Sequence, residues 1–178
     1  DYLQPDGEDV LLRVVADIRA PRIFVRVGPE TEYGAPWGHV VGRWRNARPA
    51  AQVWVVPVHE PTAAALTVGH VARRGLESLE PYLPVSRAEA WPLHYRWQPE
   101  RSAECGTCFV PGEYPFIQLS GRVEDPDEWD DAVVLHEMGH YISTQYSQDD
   151  SSGGRHNGGQ VAPAMAWSEG FATFLASF

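Results

Sequence analysis

A chain of 178 residues with 43% apolar residues and seven tryptophans can bury one full core, which excludes disorder as its resting state. Its formal net charge of −10 argues against nucleic acid or an anionic membrane surface as a partner. No apolar run reaches the roughly 18 residues of a membrane span.

All 14 basic residues are arginine, which reads as a composition bias of the genome. The chain opens on Asp1 and stops inside the apolar run "EGFATFLASF". A processed or trimmed piece of a longer protein is therefore expected, with further catalytic parts or domains beyond Phe178 and a removed export signal compatible with what remains.

Segments 10–18, 22–27, 38–45 and 51–58 are rich in valine, isoleucine and aromatics and are separated by Pro/Gly-containing connections. They read as strands. They form an N-terminal β unit, 1–58, which is either the end of a preceding β module or part of one sheet with the main domain, 59–178. Residues 62–80 place Ala65, Val68, Ala72, Leu76 and Leu79 at helical spacing before Pro81, which predicts a helix. Residues 93–97 and 115–120 read as two more strands. His39, His59, His70 and His94 fall in these patterns without partners and read as structural.

Cys105 and Cys108 form a single "CGTC". Such a pair can be a redox centre, half of a zinc site or a local disulfide. "FVPGEYP" follows it as turn and extended chain, where a thioredoxin-like motif would open a helix, and no second CxxC supplies two more ligands. A local disulfide or two unreactive thiols is the expectation.

The spacing predicts a helix over 125–146, with Asp125 as N-cap, Pro126 in the first turn and Glu128 completing an Asp-x-x-Glu box. Its "AVVLHEMGHYI" stretch is apolar on most faces, as in a helix at a domain's centre. Residues 147–162 form a long polar, glycine-rich loop, in which Asp149 and Asp150 could bind calcium, although two acids in a polar loop read first as solvated. Pro163 opens a last helix.

His136 and His140 stand four apart. On a helix they point about 40° from one another and can share one ion, while Glu137 is rotated by about 100°. That puts the Glu137 carboxylate beside a metal, where it can take a proton from a metal-bound water. Two histidines and a glutamate on a mostly apolar helix would otherwise need several buried polar partners. A third ligand must come from elsewhere. Ser143 and Tyr146 occupy the offsets where a metzincin has its glycine and third histidine. Glu169 in "AWSEGFATF" is the better candidate, on a second helix whose Gly170, like Gly139 on the first, reads as a point of close backbone approach.

With these residues the sequence resembles the gluzincin zinc metallopeptidases, in which HExxH is followed by a helix carrying a glutamate ligand. "WSEGFATF" is similar to the W-x-x-E-G-F-A stretch of the zinc aminopeptidases, and the whole to exported bacterial metallopeptidase-like proteins with an HExGH … GG.H … AWSEGFAT pattern. The resemblance covers about residues 60–178. It implies an α+β, zincin-like domain, zinc on His136, His140 and Glu169, and Glu137 as general base. It also implies a secreted or cell-surface setting and a sheet-edge strand beside the cleft, for which 115–120 is the candidate, open to pairing with an extended peptide.

The spacer between His140 and Glu169 is longer than in the aminopeptidases, and no GxMEN-like segment is present to grip an amino terminus. Endopeptidase action on a peptide or protein is thus the preferred expectation. His156, in "SSGGRHNGG", is a candidate for stabilising the oxyanion or for an outer contact, with a solvated loop histidine as its equal alternative. Two rivals stand beside the enzyme: an inactive zinc-binding surface module, and a thiol redox protein built on Cys105 and Cys108.

Overall fold

The computed structural model describes residues 9–20, 23–29, 35–45, 55–83, 93–154 and 159–177. Among them the elements run β1 (Asp9–Val15), β2 (Asp17–Ala20), β3 (Ile23–Gly28), β4 (Gly38–Arg45), α1 (Pro61–Leu79), β5 (Leu93–Arg96), β6 (Cys108–Val110), β7 (Phe116–Gln118), β8 (Gly121–Arg122), β9 (Asp125–Pro126), α2 (Asp131–Tyr146) and α3 (Pro163–Leu175). The class is α+β. No helix among the described residues is long and apolar enough to cross a membrane.

The segment expected as one strand at 10–18 is two. Ala16, buried, breaks it by donating its N–H to Trp37 O (2.8 Å) and accepting from Val27 N (2.9 Å). Before that corner β1 pairs with β4; after it β2 pairs with β3. Of the expected strand at 51–58, residues 51–54 lie outside the described residues, and Val55–Pro57 form no strand before the turn into α1.

The main sheet has the order β2-β3-β5-β7-β6, with β3, β5 and β7 parallel and the two outer strands antiparallel to their neighbours. Val25 pairs with Leu93 in register, so β2 and β3 belong to the same sheet as the strands that follow residue 58. Alternation sends Val25, Val27, Leu93, Tyr95 and Ile117 to one face, where they are buried with Ala65, Val68 and Ala72 of α1 and Val134 and Met138 of α2. Tyr95 Oη donates to Val134 O at 3.0 Å, pinning the first turns of α2 to the centre of the sheet.

Two expectations are corrected here. Strand β7, the 115–120 candidate for the edge, is internal: β6 covers it, pairing Phe109 with Ile117. The edge is Cys108–Val110, too short a run between "CGT" and "PGE" to stand out by pattern. The second correction concerns the start of α2. Asp125 is not its cap, because Asp125 and Pro126 pair with Arg122 and Gly121 as β9. Pro126, at φ −88° and ψ 76°, is itself outside the helical region, so no helix opens there. One 3-10 turn (Asp127–Trp129) follows, and Asp130 is the N-cap, accepting from Ala132 N (2.9 Å) and Val133 N (3.2 Å).

Candidate metal centre

Helix α2 packs its length between the sheet and α3, and the two histidines lie one turn apart on the side facing α3. Their Nε2 atoms stand 3.2 Å apart, with the ring planes at 81°. From α3, Glu169 brings Oε2 to 3.3 Å from His136 Nε2 and 3.5 Å from His140 Nε2. All three side chains are about four-fifths or more shielded from solvent. Together they could hold a metal ion.

The spacing supports that reading quantitatively. Ligand atoms placed tetrahedrally at ~2.0–2.1 Å from one ion lie about 3.3–3.4 Å from each other. The three observed separations, 3.2, 3.3 and 3.5 Å, bracket that edge length. Two imidazole nitrogens and one carboxylate oxygen are also the donor types that suit zinc in an open catalytic site. The residues fit the ion that the sequence implied.

What brings α3 so close is Gly139. A Cβ there would stand 2.7 Å from Ala172 Cα, so α2 and α3 touch backbone to backbone between the two histidines' turns. Gly170, expected to play the same part, does not: a Cβ at that position meets nothing within 4 Å, because Gly170 is on the outer face of α3.

Helix α3 supplies more than the carboxylate. Ser168 Oγ lies 3.2 Å from His140 Nδ1, and Thr173 Oγ1 lies 3.4 Å from His136 Nδ1. Each histidine thus has a hydroxyl at the nitrogen opposite the cluster, the arrangement that orients metal-binding imidazoles. Ser168 in turn donates to Asp149 Oδ2 at 2.9 Å. Sequence reasoning missed all three. Thr173 is four residues after Glu169 and so on the same helical face, a signal that could have singled it out. Ser168 is its immediate neighbour, and Asp149, read as solvated, offered no periodic cue.

Glu137 is buried at 8% exposure and is not one of the three converging ligands. Its charge acts on Tyr95, whose phenol is held well above its ordinary range, first by burial and then by Glu137. His156 lies outside the described residues. Cys105 and Cys108 are joined as a disulfide, the local bridge expected of them. Tyr141 is core, packed edge-to-face on Phe109 of β6 at 6.2 Å between centroids. His39 Nδ1 lies 3.4 Å from a Glu60 oxygen, and His94 sits on the far face of the sheet from the core. Burial, with Arg96 and Arg26 nearby, lowers its pKa to about 4. No protein-family model, curated protein or solved structure matches this chain.

Proposed function

We propose that the protein is a zinc-dependent peptidase of the gluzincin kind, with a zincin-like fold, that hydrolyses internal peptide bonds of a peptide or protein outside the cytoplasm. The observation that carries the reading is the triangle of His136, His140 and Glu169, whose three sides match one tetrahedral ion. Zinc bound there would polarise a scissile carbonyl and lower the pKa of water to about 7.

The remaining work falls to the chain's own groups. His136 and His140 hold the ion from one helical turn, and Glu169 closes the set from α3. Glu137, one residue from His136 and shielded from bulk water, takes a proton from the attacking water and delivers it to the leaving amine. Among the described residues the short strand β6 has no neighbouring strand on its outer side, and an extended substrate would add there as a further strand. Phe109 fixes that strand against α2 through Tyr141, which sets the substrate's distance from the ligand helix.

Elemental analysis of the purified chain, paired with cleavage of a denatured protein substrate, tests the proposal. Near-stoichiometric zinc, with activity lost in Glu137→Gln while zinc stays bound, is the expected result. A zinc-loaded parent that cleaves nothing would point instead to an inactive zinc-binding module. A metal-free parent unable to take up zinc would reject the site itself.

A further inference from the structure

We infer that Asp149, in the loop after α2, acts through Ser168 as a positioning residue for His140, presetting its imidazole as the tautomer whose lone pair faces the cluster. The inference rests on the metal-site reading above and deepens it.

The argument is one of hydrogen-bond polarity. A carboxylate only accepts, and a serine hydroxyl has one proton to give. Ser168 Oγ donates that proton to Asp149 Oδ2, 2.9 Å away. The Ser168 oxygen therefore offers only lone pairs to His140 Nδ1 at 3.2 Å, and Nδ1 must carry the hydrogen. A neutral imidazole holds one N–H, so Nε2 is left bare on the side where His136 Nε2 and Glu169 Oε2 stand. Without Asp149, the hydroxyl could turn and donate to Nδ1. That would move the ring proton to Nε2, where it blocks the ion.

The chain of bonds is built, not incidental. Ser168 is 3% exposed, so its hydroxyl depends on protein partners. Asp149 is itself held: its Oδ1 accepts from Ser151 N at 3.0 Å, and Ser151 Oγ accepts from Gly153 N at 3.2 Å. The placement of residues 149–153 is thereby tied to His140 through Ser168. Thr173, behind His136, is exposed, and among the described residues no such carboxylate accepts from its hydroxyl.

The test uses the intact chain with nitrogen-15 in its histidines. Two-bond nitrogen–proton correlations on metal-free protein read the tautomer of His140, and competition with a chromophoric chelator reads zinc affinity. The parent is expected to show the Nδ1–H form. Ser168→Ala and Asp149→Ala should shift His140 toward Nε2–H and weaken zinc binding about ten- to a hundredfold, whereas Ser168→Thr should keep both. Asp149→Ala lies in a loop, so it serves if Ser168→Ala fails to fold. An Nε2–H tautomer in the parent, or zinc affinity within about twofold of the parent in both alanine variants, would overturn the inference. A parent that binds no zinc rejects the metal-site reading instead, and the tautomer in metal-free protein still decides whether the hydrogen-bond chain acts as described.

Discussion

Gly139 meets Ala172 without a side chain between them: a Cβ on Gly139 would be 2.7 Å from Ala172 Cα and 3.1 Å from its Cβ. This contact sits one residue before His140 and three residues after Glu169, so it sets the distance across which an ion would be shared. Gly139→Ala would gain about 1 kcal/mol of helix propensity against roughly 1–3 kcal/mol of overpacking. The strain is relieved by moving α3, which carries Glu169 away. Each ~1.4 kcal/mol lost from the site is a tenfold loss in affinity, so zinc binding should weaken about tenfold while the fold survives. Gly170→Ala is the control. With open space at its Cβ, it should raise stability by up to about 1 kcal/mol and leave zinc binding alone. Chelator competition and urea unfolding on both variants measure the difference, and unchanged affinity in Gly139→Ala would contradict it.

Glu169→Ala should abolish the zinc-linked gain in stability. An ion that binds only the folded chain stabilises it by about 2.7 kcal/mol when present at a hundred times its dissociation constant. Urea unfolding of the parent should therefore shift upward with added zinc and return with a chelator. In Glu169→Ala two histidines remain without the carboxylate that closes the triangle, and the shift should shrink to near zero. A full shift in that variant would mean that another residue completes the set.

The convergence of His136, His140 and Glu169 into a group that could hold a metal ion was legible because two helices carry it: the histidines by the four-residue step, Glu169 by its place on a second helix. The parts that were not legible depend on pairing between segments distant in sequence. Whether β7 is an edge depends on three residues, Cys108–Val110, docking beside it, and nothing within 115–120 records that. Asp125 and Asp130 are equivalent as caps by composition; the β8–β9 ladder decides between them by engaging Asp125 first. Asp149 looks like any loop acid until the fold sets it against Ser168. Gly139 and Gly170 carry the same propensity penalty, and only the way α3 rotates against α2 shows which one the packing needs.

His94 makes stability depend on pH in a definite direction. Burial, then the charges of Arg96 and Arg26, lowers its pKa to about 4, against ~6.5 in an unfolded chain. Between those values the unfolded state binds more protons, so stability falls as pH drops from about 6.5 toward 4. The shift would correspond to about 3 kcal/mol for a fully dry ring; His94 is only partly shielded, and solvent screening reduces that figure. Burial raises the carboxyls of Asp127 and Glu128, which has the opposite sign above about pH 4. The parent's slope is a sum, and the comparison with His94→Gln isolates the histidine. Urea unfolding at pH 5 and pH 7 should show a smaller drop for the variant, and parallel drops would remove His94 from the account.

The Cys105–Cys108 bridge should be structural and separable from the metal centre. It closes a four-residue loop at the entrance to β6, and constraining so short a loop in the unfolded chain is worth about 2 kcal/mol. A Cys105→Ala, Cys108→Ala double variant should lose up to that amount in urea unfolding and keep its zinc. Because β6 is the strand proposed to receive substrate, its fraying should show as a raised KM with little change in kcat. A redox protein would behave differently: thiol titration of the native parent would find reducible, re-oxidisable sulfur that turns over with a dithiol partner, and removing the pair would abolish function outright. Unreactive sulfur in the native parent and a surviving hydrolase in the double variant are the results expected here.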